Sequence, residues 1–281
     1  MSIKRMSIKR MSRRKTTIIF AVLIAFIIAA IYIAGVALSG DSIEADFTKR
    51  ALAPSVEHPF GTDLLGRDML SRTIMGLSLS LFVGLAASGV SAVLALIAGV
   101  TAAFGRGFAD RFVNWLIDLT MGIPHTLLVI MISIAAGRGW RGLMIGIIFT
   151  HWTALARVIR SEVLQIRENH YIKASRKFGR PGWWIMVRHI FPHMIPQFFI
   201  GLILLFPHAI MHESGLTFLG FGLPPEEPAI GIILSESMRH LSAGMWWLAV
   251  FPGVALVILV LLIDKLGECV KLLFDQTSAQ E

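Results

Sequence analysis

Residues 171–192, YIKASRKFGRPGWWIMVRHIFP, form a basic, glycine-punctuated insert between two long apolar segments. The pattern predicts a short helix over 168–180 that is interrupted at 179–182, because glycine and proline end helices and turn the chain sharply. A second helix is predicted over 183–190. Since the neighbouring segments suit lipid, the insert must lie outside the bilayer, and its regular pattern indicates that it docks on another component. The alternative is a basic helix that lies on anionic headgroups, with its paired tryptophans at the interface.

The composition indicates a membrane protein. Of the 281 residues, 55% are hydrophobic and 16% charged, and the mean hydropathy is +0.71. A soluble domain carries roughly a quarter charged residues. The single cysteine, Cys269, excludes a disulfide framework and a cysteine metal cluster. The net charge of +8 does not indicate nucleic-acid binding, because the basic residues gather at the ends of apolar segments and not in a reader motif.

Six apolar segments run through the chain, and most reach the ~20 residues that a helix needs to cross the hydrocarbon core. They lie at 17–38, 76–104, 112–135, 142–160, 195–212 and 246–264. The fifth contains Pro207, which membrane helices tolerate where neighbours satisfy the freed backbone groups. The pattern predicts an all-α, polytopic membrane protein with about six transmembrane helices.

The same segments divide the chain into a membrane core and flanking parts. We expect a cytoplasmic basic segment at 1–16, a first transmembrane helix at 17–38 and an extracytoplasmic segment at 39–75. A membrane-spanning core at 76–264 with a cytoplasmic insert at 161–194 follows, and then a cytoplasmic tail at 265–281. The first apolar run exceeds the roughly 7–15 residues of a signal-peptide core, which favours an uncleaved anchor over cleavage near Ala37-Leu38-Ser39. The tandem MSIKR-MSIKR-MSRRK leaves both Met1 and Met11 open as the translation start.

Charge placement orients the crossings, because cytoplasmic loops carry an excess of lysine and arginine. Basic residues precede the first apolar segment and recur in the turn at 105–111 and in the insert, among them Arg14, Arg106, Arg111, Arg176 and Lys177. Acidic residues mark the two longer loops that then fall outside: Asp41, Glu44, Asp46, Glu57, Asp63 and Asp68 in the first, and Glu213, Glu226, Glu227 and Glu236 in the second. The alternation predicts a multi-pass protein with both termini in the cytoplasm.

The insert resembles the EAA loop of inner-membrane permeases of ATP-binding-cassette (ABC) importers, the element that carries their coupling helix. The loop's two small residues, its apolar residue and its glycine are matched by Ala174, Ser175, Phe178 and Gly179, and its closing pair by Ile190 and Pro192. Lys173 stands where the family commonly has glutamate. The resemblance therefore implies that residues 173–179 dock sterically on an ATPase, without the polar contact of that glutamate.

Two further stretches resemble the peptide/nickel branch of these permeases. HPFGTDLLGRDMLSR (58–72) is similar to the hallmark before the second crossing, and ESGLTFLGFGLPP (213–225) to the segment after the fifth. The resemblance implies a type I importer permease with the MetI-like fold, placed in the inner membrane. It also implies a homologous second permease, two ATP-binding subunits and an extracytoplasmic substrate-binding protein as partners, besides membrane lipids.

Nucleotide chemistry is not expected of this chain. It contains no G-x-x-x-x-G-K-[ST] loop and no Gly-Lys pair, so it cannot cradle phosphates in the P-loop manner. HExxH and G-x-S-x-G are also missing from the sequence. We expect no catalytic residues and no bound cofactor, with ATP-Mg held by partner subunits.

His208 and His212 are candidates for the translocation path. They lie four residues apart near the outer end of the fifth crossing and so share a helix face, and Glu213 follows at once. Imidazoles at this spacing suit nickel, copper or zinc, and ionisable groups at membrane depth usually face a cavity. We expect transient metal contact by the two histidines. The alternative is that they hydrogen-bond between helices and stabilise packing.

Asp118 lies inside the third crossing. An acid at this depth either lines the translocation path or forms a structural ion pair near the inner surface, and the pair is favoured. Its candidate partners are Arg157 and Arg160.

The leading functional hypothesis is the permease subunit of an ATP-driven importer that carries nickel, free or chelated. The His-x-x-x-His of the fifth crossing resembles nickel permeases more than dipeptide permeases. The first alternative is the same role for di- or oligopeptides. A secondary transporter is an alternative of a different class, but it needs buried coupling carboxylates and two repeated halves, and Asp118 is the single credible buried acid. A non-transporting membrane scaffold is a third.

Overall fold

The computed structural model describes residues 2–38, 45–105 and 107–274, with side chains from residue 14 onward. The expected outer acids Asp41 and Glu44, the inner Arg106, Ser39 and the end of the tail (275–281) lie outside the described residues. So do the side chains of the basic residues before Arg14.

The described residues form ten α-helices and no β-strand, which agrees with the all-α prediction. The helices are α1 (Ser2–Ala37), α2 (Met69–Gly105), α3 (Phe108–Met121), α4 (His125–Ala135), α5 (Gly139–Arg167), α6 (His170–Lys177), α7 (Gly182–Ile185), α8 (Phe191–Phe218), α9 (Ile230–Met238) and α10 (Trp247–Phe274). A π-helical turn, Met186–Ile190, joins α7 to α8. The last helix continues beyond the apolar segment that ends at 264.

Five stretches are long and apolar enough to cross a membrane, namely 14–37, α2, α5, 182–218 and α10. The third apolar segment is not one straight helix, because α3 and α4 meet at 99° across residues 122–124. Proline lacks an N–H and disfavours helical backbone in the residue before it. Pro124, with ψ at 121°, therefore stands outside α4 as its N-cap.

The bent pair α3–α4 acts as one crossing, because the helices on either side of it run in the same direction. In the first part of α5 and the middle of α2, the Ser91 hydroxyl of α2 donates to the Ile148 carbonyl of α5 at 3.0 Å. Near their ends, the Arg167 guanidinium of α5 donates to the Ala103 carbonyl of α2. The chain between two parallel neighbours must return across the same thickness. The prediction of about six transmembrane helices is thus confirmed, with the third one broken.

Helices α2 and α5 approach closely at Gly99. A Cβ atom at this position would lie 2.7 Å from the Ala156 carbonyl oxygen and 2.9 Å from Ile159 Cγ2. Small residues at helix contacts allow such backbone approach in membrane proteins, where dispersion contacts hold helices together. The buried side chains Ile159, Val163 and Ile166 continue this contact toward the inner end of α5.

Replacing Gly99 with valine should destabilise the assembled protein by about 1–3 kcal/mol, because the added methyl groups meet a carbonyl that cannot move away cheaply. Thermal unfolding in detergent, followed by loss of the monodisperse peak on size exclusion, would measure the change. Gly89 of the same helix is the matched control, since a Cβ there meets nothing within 4 Å. Equal loss for Gly89→Val and Gly99→Val would show that α2 is sensitive to valine as such and not to this contact.

The segment 45–68, expected on the extracytoplasmic side, folds against the start of α2. The Asp68 carboxylate accepts from the Ser71 backbone N–H at 2.8 Å, which caps α2, and its other oxygen lies 3.0 Å from His58 Nδ1. Gly61 has a φ of +72°, and a Cβ there would lie 2.6 Å from the Leu52 carbonyl oxygen. Residues 45–68, which include most of the hallmark stretch 58–72, therefore form a folded segment and not a loose connection. We call residues 45–68 the cover.

Candidate functional site

The insert forms an elbow that we define as residues 168–190. Helix α6 ends at Lys177, and Gly179 follows with a φ of +77°. The Gly179 and Arg180 amides donate to the Arg176 and Ser175 carbonyls at 3.0 and 3.2 Å, which closes the helix end. The chain then turns back into α7. The break lies where glycine and proline predict it, with the second helix continuing into α8 through the π turn.

The elbow is fixed to the bundle by buried isoleucines. Ile172 of α6, Ile185 of α7 and Ile190 of the π turn are fully buried and share a cluster with Val163 and Ile166 at the end of α5. Since buried aliphatic side chains are close-packed, a displacement of the elbow must move these helix ends with it. The elbow is built as a rigid extension of α5 and α8.

The outward side of the elbow exposes large apolar groups. The Phe178 side chain is 84% exposed at the tip, and Trp183 is 71% exposed. Ala174 and Ser175 are half-buried behind them. Exposed aromatic side chains on a rigid element outside the apolar segments are typical of a contact surface for another protein.

Lys173 forms an exposed ion pair within the elbow. Its ammonium lies 2.9 Å from a Glu168 carboxylate oxygen. The hydrogen bond from Lys173, and then its charge, hold the pKa of Glu168 below its ordinary value. Because the pKa of Glu168 is lower in the folded state, the ion pair stabilises the fold above the ordinary pKa of glutamate. This stabilisation is lost as the pH falls through the lowered pKa. The Lys173 side chain thus pairs with Glu168, which lies in the elbow of the same subunit.

Three histidines from three helices meet inside the bundle. His125 is the first residue of α4, His151 lies in the middle of α5, and His212 is in α8. The ring centroid of His125 lies 4.6 Å from that of His151 and 4.6 Å from that of His212. The ring centroids of His151 and His212 are 5.1 Å apart. One ring nitrogen from each lies within 4.8 Å of the others. These three residues are the ones that could hold a metal ion in the described part of the chain.

The structure separates the two histidines that helical spacing puts on one face. His212 joins the group of three, whereas His208 is exposed one turn earlier, near enough to interact electrostatically with the group. The signal for His125 and His151 is weak in the sequence, since 87 and 61 residues separate them from His212. A search for one histidine at membrane depth in each of several crossings would have found the set.

Glu213 does not face the histidines. It is fully buried, and its carboxylate accepts from the hydroxyls of Ser80, Ser214 and Thr217 at 2.6, 3.0 and 3.2 Å. Successive helical residues point about 100° apart, so Glu213 reaches α2 while His212 reaches α4 and α5. The carboxylate thus links α8 to α2.

Asp118 forms an ion pair with Arg157, at 2.9 Å, and both side chains are exposed in this chain. Arg160, the other candidate, instead binds Asp110 with two hydrogen bonds of 2.7 and 2.9 Å. Two parallel ion pairs therefore join α3 to α5. Asp118 thus has a charged partner on α5, and its place in a translocation path stays a prediction.

Comparisons with known proteins agree with this architecture. A family model described as binding-protein-dependent transport system inner membrane component matches residues 91–276. A dipeptide transport system permease protein of Bacillus subtilis (strain 168) is 32% identical over 221 residues, which cover 79% of this chain and 69% of that protein. A Brucella suis biovar 1 (strain 1330) protein, provisionally named a peptide transport system permease protein, is 36% identical over 222 residues, covering 79% and 74%.

The fold also matches a solved structure. A chain of the MetNI methionine ABC transporter in inward-facing conformations aligns with a TM-score of 0.59, covering 73% of this chain and 97% of that chain. At 18% identity this match shows the fold alone, and it confirms the MetI-like permease fold that the resemblance implies. The family match covers the broken third crossing, the elbow and the helices that carry the three histidines. The chain therefore belongs to the family of inner membrane components of binding-protein-dependent transport systems.

Proposed function

We propose that this chain is the membrane-spanning permease subunit of an ATP-driven importer of di- or oligopeptides. The observation that carries the proposal is a rigid elbow with an exposed aromatic tip, in a chain of the binding-protein-dependent permease family. Permeases of this family leave ATP hydrolysis to separate ATPase subunits, and the chain is not an enzyme. ATP-Mg then belongs to those subunits and this chain binds no cofactor.

Peptides are the cargo that the relatives favour over nickel. The Bacillus subtilis relative is named for dipeptides, and the Brucella suis relative for peptides. Nickel was the leading hypothesis from the sequence because of two histidines in one helix. That hypothesis keeps support from the histidine group, which is why it remains the second candidate cargo.

In the proposed mechanism, the elbow seats in a cleft of a partner ATPase. Residues Lys173, Ala174, Ser175, Phe178 and Gly179 form the contact, with Phe178 as its apolar anchor. When ATP closes the cleft, the elbow moves, and the buried isoleucines carry the movement to α5 and α8. The two arrangements of the crossings then expose the path alternately to the two sides, a two-state equilibrium that ATP and substrate bias together.

The remaining subunits follow from the same proposal. A homologous second permease completes the path, and two ATPases bind the inner elbows of the pair. A substrate-binding protein docks on the extracytoplasmic side, on a surface formed by the cover and by α9. The chain lies in the inner membrane as a multi-pass protein, with both termini in the cytoplasm.

Uptake by the reconstituted transporter tests the proposed cargo. Proteoliposomes that contain the assembled complex, with the binding protein outside and ATP inside, should accumulate labelled di- or tripeptides at least about tenfold above vesicles without ATP, a difference of about 1.4 kcal/mol in driving force. Nickel chloride is the parallel arm. ATP-dependent uptake of nickel with no uptake of any peptide in a mixed peptide library would overturn the peptide proposal.

A further inference from the structure

We propose that His125, His151 and His212 form a binding site for a divalent transition-metal ion of the Ni²⁺, Cu²⁺ or Zn²⁺ class between α4, α5 and α8. The inference rests on the proposed function in that the chain is an importer permease, and it adds a ligand class to the path of that importer. It holds whether the ion binds alone or as part of a chelated substrate, because the three imidazoles are the same in both cases.

His151 is oriented as a metal ligand. Its side chain is buried, and Nδ1 lies 2.9 Å from the Ile147 carbonyl oxygen. A carbonyl oxygen only accepts hydrogen bonds, so Nδ1 carries the proton and Nε2 keeps the lone pair of the neutral ring. Such a bond to the backbone through the second nitrogen is the usual way that proteins set the tautomer of a coordinating histidine.

The coordinating nitrogen of His151 is also unpaired. Nε2 is buried and has no hydrogen-bond partner among the residues that the structure describes. A buried polar atom without a partner costs free energy and needs an explanation in a native structure. An ion held between the three rings would satisfy this lone pair.

The spacing of the three rings suits coordination after a small closure. Metal–nitrogen bonds of about 2.0–2.1 Å in a tetrahedral site place ligand nitrogens about 3.3 Å apart, whereas the nitrogens here lie within 4.8 Å of one another. His125 and His212 are only half-buried, so rotation of their side chains can supply the difference. Three neutral nitrogen ligands suit nickel, copper and zinc and leave a coordination position open.

The position of the group fits a transport path. His151 is 12 residues into α5, about 18 Å from its outer end at the rise of an α-helix. His125 follows the break between α3 and α4, and discontinuous helices near the bilayer midplane often form the substrate and ion sites of transporters. Glu213 follows His212 in the sequence, but its carboxylate accepts hydrogen bonds from three hydroxyl groups. It therefore does not pair with the imidazoles.

The alternative is a packed group of neutral imidazoles without a ligand. The perpendicular rings of His151 with His125 and with His212 are compatible with edge-to-face packing. Packing does not require a fixed tautomer at His151, nor does it pair the Nε2 lone pair. Metal titration separates the two interpretations.

The test uses the assembled transporter, purified in detergent through a tag without histidines, stripped with chelator and titrated with Ni²⁺ alone. Equilibrium dialysis with elemental analysis measures the bound ion. His125→Ala, His151→Ala and His212→Ala should each weaken the tightest binding at least about tenfold, since even losses in the outer shell of a metal site cost 10- to 100-fold. His193→Ala is the matched control, because this exposed histidine lies at the start of α8, 19 residues before His212, and it should bind as wild type does.

A second readout reports geometry. Co²⁺ bound by three imidazoles should give a visible absorption band that disappears in the three variants and persists in His193→Ala. Half-buried His212 also allows His212→Gln, which keeps the side-chain volume and should lose the band as well without unfolding. Equal metal binding by wild type and a variant with all three alanine substitutions would overturn the site, and so would equal losses in His193→Ala and His212→Ala. Peptide uptake is scored separately, after the same proteins are reconstituted into proteoliposomes. A transporter that imports peptides without binding Ni²⁺ then rejects this inference and keeps the proposed function.

Discussion

Replacing Gly179 with valine should reduce ATP-driven transport at least about tenfold, while membrane insertion and ATP hydrolysis persist. Gly179 has a φ of +77°, a left-handed conformation that costs an L-residue about 1–2 kcal/mol, and 1.4 kcal/mol corresponds to a factor of ten in a population. A β-branched side chain is the least tolerated there. The chain would leave this conformation, and Phe178 would leave the tip of the elbow.

The open surroundings of Gly179 allow backbone strain to be tested without a steric clash. A Cβ at this position meets nothing within 4 Å, so valine introduces backbone strain without a clash inside the subunit. The buried isoleucines that fix the elbow are untouched. Transport and ATPase rates measured on the same proteoliposomes would show hydrolysis that no longer drives uptake.

Two variants serve as controls for Gly179→Val. Asparagine adopts the left-handed region more readily than other non-glycine residues, so Gly179→Asn should keep most transport. Gly107 lies in the other inner turn, with a φ of +73° and equally open surroundings, and Gly107→Val tests strain outside the elbow. If Gly179→Val transports as wild type does, or if Gly107→Val uncouples equally, the elbow is not the coupling element.

The sequence predicts the elbow and the crossings well because both follow local rules. Apolar runs of about 20 residues are expected to be helices in lipid, since a helix satisfies the backbone hydrogen bonds within the segment itself. Gly179 ends α6 because glycine adopts the left-handed conformation freely, and Pro181 has no N–H with which to continue the helix. These signals act within a few residues and need no knowledge of neighbouring helices.

The sequence does not predict how separate helices meet. The apolar pattern predicts one crossing at 112–135, but α3 and α4 meet at 99°. Pro124 allows many angles, so the sequence does not give this one. Helical spacing pairs His208 with His212, yet the neighbours of His212 come from α4 and α5. Adjacency likewise suggests that Glu213 joins the histidines, whereas its side chain lies against Ser80 of α2. Side-chain direction follows from packing, which one sequence does not contain.

Replacing Asp63 with alanine should destabilise the cover (residues 45–68) by about 3–5 kcal/mol. This is the usual effect of removing one partner of a buried ion pair. The Asp63 carboxylate accepts from Arg72 Nη1 at 2.8 Å and from Arg67 Nε at 2.7 Å. It also accepts from the backbone amides of Leu65 and Arg67, both at 2.9 Å. The Arg72 side chain is only 5% exposed, so its charge would lose its buried partner and keep only Glu236, which is 42% exposed.

A double-mutant cycle distinguishes this ion pair from general sensitivity of the cover. Asp63→Ala with Arg72→Met removes both charges, so the double variant should be more stable than the sum of the single losses predicts. Thermal unfolding in detergent gives the free energies, and limited proteolysis of residues 45–68 reports whether the cover has opened. Glu236→Gln, at the exposed end of the network, should have a much smaller effect. Strictly additive losses would mean that Asp63 acts through Arg67 and its backbone hydrogen bonds, and the charge pairing of Asp63 with Arg72 of α2 would then contribute nothing to the stability of this segment.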